Sequence, residues 1–371
     1  MALNTKRASA LGEWLARFPE SDGVREISQP RTFGGSGGED EYAKQFVVDG
    51  SYERSLAVGL ERVLRAAGAD TGGPALELGC GTGIFSRALV EGTRYPRYYV
   101  SDMSAEFLKL TRDTIPKGRA GGVDYVVLAT EEINRWPKRS LSLVALRYVL
   151  HHVLDWEAFL AAAASLLRPG GVLTFEEPCA DGFLLQAQMV NTARKQPGVA
   201  DTLGPQVHKD LDLFLGMTFW YLRTGVDKHL SEDKHVFSVS RLTGVCRDLG
   251  LETTFYPNMG YEMLETASQP APSYFLDEFR HNFKVNFGFG DETMGFFEER
   301  VAPACAELAD ISGSVNGPCV KGVFVCKRQD RPLRRAMLAG KRSARRFGAR
   351  GYRYGRRKAG GLRRRLQDPA S

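Results

Sequence analysis

The chain has 371 residues, 43% hydrophobic, 25% charged and 10% aromatic, with a formal net charge of +6. This composition excludes collagen-like, wholly disordered and disulfide-scaffold chains, and the length suits one large α/β domain with insertions or two smaller domains. The net charge conceals a split: Arg331 to Ser371 holds 15 Lys and Arg against one acid, Asp368, a net of +14, while the preceding residues carry −8.

In chain order, a short helix is expected over roughly Ser9 to Phe18, then a flexible Gly/Ser spacer over 33–38. The pattern turns helical from Tyr42 to Ala67, where Leu56, Leu60, Val63, Leu64 and Ala67 share one face. Gly68 and the Gly/Pro cluster over 71–74 end that helix. Strand-like runs follow at Ala75–Leu78, Tyr98–Ser101, Tyr125–Leu128, Leu141–Leu146 and Val172–Glu176, alternating with helical runs at Phe85–Glu91, Ala105–Asp113 and Trp156–Leu167. That alternation predicts a parallel sheet built from right-handed crossovers. After Pro178 the rhythm breaks, returning with a helix at Ser240–Leu249 and strands at Leu251–Tyr256 and Val320–Lys327. The division is therefore an N-terminal helix and loop segment over 1–55, a main domain over 56–330 with insertions at about 179–237 and 257–318, and a basic tail over 331–371, expected to be disordered because it has too few apolar residues to fold alone. Insertions beyond strand ends in such a sheet lie over the ligand crevice, so both are expected to be lids.

Six widely spaced cysteines, without a C-x-x-C pair or a His at ligand spacing, argue against a disulfide framework or a structural zinc, and no metal is expected. The N-terminus has no apolar stretch of the secretory kind, and the most apolar run, Ala158–Leu167, is too short to span a bilayer. A cytoplasmic chain is expected, with a peripheral membrane position open to it through the tail.

The most informative segment is LELGCGTG over 76–83, a strand running into G-x-G-x-G and a helix. Glycines there allow a sharp turn and close approach of a ligand. Glu77, just before the first glycine, would repel a pyrophosphate but suits a ligand bearing an ammonium and a sulfonium. Asp102 ends the next strand, 19 residues past Gly83, where an acid can accept both hydroxyls of a ribose. A helix N-cap role fits Ser104 better than Asp102.

With YYVSDMSAEFL, ALRYVLHHV and LLRPGGVLTFEEP, that segment resembles the class I S-adenosylmethionine-dependent methyltransferases, closely over about 56–177 and loosely to the strand KGVFVCKR. The resemblance implies a Rossmann-like α/β fold with a mixed, mainly parallel seven-stranded sheet and S-adenosyl-L-methionine as cofactor. It implies that Gly79, Gly81 and Gly83, with Glu77 and Cys80 of the same turn, lie against the methionine part. Asp102 would hold the ribose and Met103 would pack on the adenine. Two positions depart from the family pattern. Ala129 stands where an acid often meets the adenine amino group, so Thr130 or Glu131 must substitute, and the fourth strand has Ser142 in place of the usual Asp.

For the acceptor side, His151 and His152 follow the fourth strand, where a neutral imidazole could take a hydroxyl proton; a structural role for this turn is the alternative. Glu176 and Glu177 end the fifth strand, and alternation sends one of them, assigned as Glu177, to the crevice as a substrate contact or a turn cap. Arg147 is expected near cofactor or substrate. Tyr221, His208, His229, His235 and His281 are further possible contacts in the insertions. Phe214, Phe219, Trp220, Phe283, Phe287 and Phe289 are expected mainly to pack the lids, with a pocket lining as the alternative.

The leading function is methyl transfer to a small-molecule or glycan (including glycolipid) acceptor, at oxygen. The alternatives are an RNA methyltransferase whose tail holds phosphate and a non-catalytic module of the same fold. The tail fits an anionic membrane surface better than nucleic acid, because the acidic body argues against a nucleic-acid groove over the site.

Overall fold

The structure, a computed structural model, describes residues 10–32, 49–229, 231–266, 273–312 and 318–329, with positions 39, 44 and 271. Ser9, the spacer, Tyr42 and the basic tail lie outside the described residues. The N-terminal helix is seen over 10–15.

Nine strands form one sheet: β1 (Glu20–Ser21), β2 (Val24–Glu26), β3 (Ala75–Leu78), β4 (Tyr98–Asp102), β5 (Val123–Val127), β6 (Leu141–Arg147), β7 (Leu167–Pro178), β8 (Leu251–Pro257) and β9 (Lys321–Arg328). Their order is β1-β2-β5-β4-β3-β6-β7-β9-β8. The run from β2 to β7 is parallel throughout, and β9 pairs antiparallel with both β7 and β8. The sheet therefore holds nine strands where seven were expected. The two additions form the short hairpin β1–β2, which extends the β5 edge. With two and three residues apiece, these strands are too short to show alternation in the sequence.

Every residue of β3 and β4 is buried, as expected for parallel strands covered by helices on both faces. Among those helices, α1 (Gly50–Ala66) is capped by Asp49, which accepts from the Ser51 and Tyr52 amides, and it buries Leu56, Leu60, Val63 and Leu64. Next come α2 (Ile84–Gly92), which opens directly after Gly83, and α3 (Ala105–Thr114), capped by Ser104. After the short α4 (Lys117–Ala120), α5 (Trp156–Leu166) starts at the cap Asp155. Ser142, buried inside β6, accepts the Gly73 amide at 2.9 Å, so it ties down the turn entering β3. The Arg-Pro-Gly-Gly run belongs to β7, which starts earlier than the expected Val172, with a register irregularity against β6 between Leu141 and Leu143.

The insertions supply α6 (Ala180–Arg194) and α7 (Pro205–Leu222), then, after α8 (Val239–Asp248), α9 (Tyr274–His281), α10 (Asp291–Phe296) and α11 (Ala302–Ser312). They pack into one shared core. Phe214, Phe279, Phe283 and Phe297 are fully buried there, with Phe214 and Phe283 rings 4.8 Å apart. Packing is thus the role of Phe214, Phe283 and Phe289, whereas Phe219 is 46% exposed. All six cysteines are buried free thiols, and among the described residues no helix is long and apolar enough to cross a membrane.

Candidate active site

The glycine turn stands at the carboxyl edge of the sheet, between β3 and α2. Gly79, Gly81 and Gly83 all adopt positive φ, at 71°, 50° and 87°. Their neighbours differ. A Cβ on Gly79 would come within 2.5 Å of Val149, and one on Gly83 would meet Thr111 and Thr114 of α3. A Cβ on Gly81 would meet nothing within 4 Å, so it would project into open space beside the turn. Gly83 therefore serves helix packing, and Gly81 leaves room for a ligand. The Cys80 side chain turns inward, with the Thr111 hydroxyl 3.3 Å from its sulfur, and burial pushes its thiol pKa up.

Glu77 is 1% exposed, and neither of its carboxylate oxygens has a hydrogen-bond partner. The Ser86 hydroxyl is close enough to oppose the effect but makes no bond of proper geometry; burial, with Asp102 adding to it, pushes the Glu77 pKa up to about 8. Asp102, at the end of β4, accepts from the Gly81 amide at 3.1 Å and the Ser104 amide at 2.9 Å. Burial raises its pKa against those bonds. A buried acid without a hydrogen-bond partner, on the strand that leads into a turn with room at Gly81, fits a cationic ligand such as the ammonium end of S-adenosylmethionine, and Asp102 has acceptor capacity left for a ribose.

Around the expected adenine position the N-terminal segment closes in. The Arg31 amide donates to the Met103 carbonyl at 2.9 Å, and Ser28 accepts the Ala129 amide at 3.0 Å. Met103 and Thr130 are half-buried, while Glu131 is exposed and pairs with Arg31 at 3.4 Å. Neither Ser28 nor Arg31 belongs to a motif that would have placed it here.

Arg147 and Glu176 are opposite each other on β6 and β7. Arg147 Nε donates to Glu176 at 2.9 Å and Nη2 donates to the Tyr52 hydroxyl at 2.6 Å, with Glu262 3.6 Å away. Burial raises the fully buried Glu176, but Arg147 and Lys321 outweigh it and hold its pKa below the usual range. Arg147 is thus held in a buried charge cluster. Beside it, Tyr148 has a φ of 55°, which is strained for a bulky residue, and its hydroxyl donates to Glu176 at 2.5 Å.

Glu177 points to the other face of β7. It accepts the Val149 and Leu150 amides at 3.0 and 2.6 Å and meets His151 Nδ1 at 2.7 Å. All this fixes the turn over 149–152, whose Val149 lies against Gly79. The first insertion supplies a residue that sequence reasoning missed. Its returning segment runs along the end of β7, pairs Phe237 with Cys179 and bonds the Lys234 amide to the His151 carbonyl. This brings Asp233 within 3.4 Å of His151 Nε2 and 3.3 Å of His152 Nδ1. Burial pulls His151 down, but Glu177 and Asp233 reverse that and lift it to about 9. Burial and the charge of His151 lower His152. His208, His229 and His281 lie elsewhere in the insertion helices and their connections, whereas His235 reaches the Leu154 carbonyl at 3.3 Å.

A parallel sheet with this strand order, a glycine turn over an unpartnered acid and an acid ending the next strand define a class I S-adenosylmethionine-dependent methyltransferase. The chain belongs to the methyltransferase-domain family, whose model matches residues 51–254, and S-adenosylmethionine is its cofactor. It is 27% identical over 204 residues to the ubiquinone/menaquinone biosynthesis C-methyltransferase UbiE of Shewanella halifaxensis, covering 53% of this chain and 73% of that protein. To the ubiquinone biosynthesis O-methyltransferase of Idiomarina loihiensis it is 33% identical over 101 residues, 27% of this chain and 40% of the relative. The solved phosphoethanolamine N-methyltransferase 2 of Haemonchus contortus, in complex with S-adenosylmethionine, aligns at 14% identity over 73% of this chain and 52% of its own, with a TM-score of 0.41.

Proposed function

We propose that this methyltransferase acts at a hydroxyl oxygen of a small-molecule or glycan acceptor, free or lipid-linked. The observation that carries this reading is the group formed by His151, His152 and Asp233 on and beside the turn whose Val149 lies against Gly79. Bound at the glycine turn, S-adenosylmethionine supplies an electrophilic sulfonium methyl. On the protein's side, Glu77 and Asp102 hold the two ends of the cofactor site, and Glu177 fixes the histidine turn. A hydroxyl must lose its proton as its oxygen attacks, and the His152 imidazole, kept neutral by burial and by the charge of His151, is suited to removing it. Orientation supplies much of the acceleration in a displacement of this kind. The two sequence relatives named above divide between C- and O-methylation, so the choice of oxygen rests on this cluster. The helical insertions beyond β7 and β8 favour a small acceptor over a macromolecule.

The basic tail, on this reading, ties an acidic body to anionic lipid, with about 1 kcal/mol per basic residue near the surface. Incubating the protein with methyl-13C-labelled cofactor and a metabolite and lipid extract, then reading the labelled carbon by NMR, tests the proposal. A methoxyl signal on a small molecule or glycan is expected. A C-methyl or N-methyl product overturns the choice of oxygen, and label confined to RNA overturns the small acceptor.

A further inference from the structure

We propose that His151, His152 and Asp233 form a binding site for a divalent transition-metal ion of the zinc type. The inference rests on the reading that this cluster faces the acceptor, and it assigns how the cluster acts. One ligand atom from each residue lies within 4.8 Å of the other two. Asp233 Oδ1 is 3.4 Å from His151 Nε2 and 3.3 Å from His152 Nδ1. Ligands bonded at roughly 2.0–2.1 Å in a tetrahedral site are about 3.3–3.4 Å apart, so both spacings need little adjustment.

The surroundings have the form of a metal centre. His151 presents Nε2 to the cluster because its Nδ1 is bonded at 2.7 Å to Glu177, which is fully buried and is itself fixed by the Val149 and Leu150 amides. A buried carboxylate on the far nitrogen of a ligating imidazole fixes its tautomer and strengthens it as a donor. His152 Nδ1 faces the Glu232 carbonyl at 3.1 Å as well as Asp233, so the ion would replace the proton it shares there. Two imidazoles and one carboxylate suit zinc, cobalt or ferrous iron better than magnesium or calcium, which prefer all-oxygen sets. The Asp233 side chain is 48% exposed and that of His152 37%, which leaves a coordination position open to solvent or acceptor.

An acceptor hydroxyl in that position would release its proton to solvent and keep its electron pair on oxygen. The pair would form the new bond to the methyl carbon while the carbon–sulfur bond breaks toward sulfur. The ion thus does by coordination what a free imidazole would do by proton transfer.

Cobalt(II) titrated into the tag-free, chelator-treated full chain tests the site. One equivalent giving the visible bands of low-coordinate cobalt is expected, with the bands lost in Asp233→Asn and His152→Gln. Glu177→Gln should weaken binding roughly 10- to 100-fold. Circular dichroism confirms that each variant is folded, and the exposed Asp233 makes its variant the safer of the two. Absence of the bands, unchanged affinity in both ligand variants, or thiolate-to-metal absorption from the cysteines would overturn the site. S-adenosylhomocysteine binding in the same samples separates the two claims. A chain that binds it without taking up cobalt loses the metal centre and keeps the methyltransferase reading, with the imidazole of His152 as the base. A chain that takes up cobalt and does not bind it loses the reading instead.

Discussion

Glu77→Gln should stabilise the free protein and weaken its hold on cofactor. Glu77 is buried without a hydrogen-bond partner, and its carboxyl titrates at about 8 in the folded chain against 4.5 in the reference state. Between those values the unfolded chain is ionised and the folded chain holds the proton, so stability falls as pH rises through the window. The slope is about 1.4 kcal/mol per pH unit, which amounts to about 3 kcal/mol by pH 7 and about 5 kcal/mol above pH 8. Below pH 4.5 the effect vanishes. Denaturant unfolding of wild type and variant from pH 5 to 8.5 should show a gap that widens with pH in favour of the variant. A cofactor ammonium favours the ionised acid, so binding should release about 0.9 proton at pH 7 from this group. Calorimetry with S-adenosylhomocysteine in buffers of different ionisation heat reads that number, and Glu77→Gln should abolish it together with much of the affinity. A pH-independent stability gap, or equal proton release from both proteins, would show that Glu77 is not the group that titrates.

Asp102→Ala removes two charge-assisted acceptor positions and should lower S-adenosylhomocysteine affinity at least about 100-fold by calorimetry; unchanged affinity would move the ribose elsewhere. Arg147→Met leaves the buried Glu176 without its main counter-charge and should cost about 3 kcal/mol in denaturant unfolding, a loss of stability rather than of cofactor contact. Gly83→Ala sets a Cβ at 2.9 Å from the Thr111 backbone at a φ of 87°, and should cost roughly 1–3 kcal/mol by the same measurement. Deleting 331–371 should abolish salt-sensitive retention on phosphatidylserine vesicles and leave S-adenosylhomocysteine affinity unchanged; retention that persists would assign membrane contact to the body.

The fold and the cofactor turn were legible because both depend on local pattern. Strand β3 matched at both ends, and the glycine turn and Asp102 are adjacent in sequence to the strands that position them. The hairpin β1–β2 was not legible, because its few residues carry no period and its place depends on an exposed edge of β5. Asp233 was invisible for another reason. It lies more than 80 residues after His151, in a charged stretch, and the pairing of Phe237 with Cys179 and the bond from the Lys234 amide to the His151 carbonyl bring it to the histidines. Glu176 and Glu177 show what alternation can and cannot give. It predicted opposite faces, but not that both would be buried, one against Arg147 and Tyr148 and the other beneath the histidine turn. The net charge misleads unless it is divided, since the acidic body and basic tail have opposite preferences.

We propose that the glycine turn, Glu77 and Asp102 form the site for S-adenosylmethionine, and equilibrium dialysis of the full chain against radiolabelled S-adenosylhomocysteine is the test. One equivalent bound per chain, lost in Asp102→Ala with the fold intact, is the predicted result. A folded wild-type chain that retains no label, or a variant that retains as much as wild type, would contradict it.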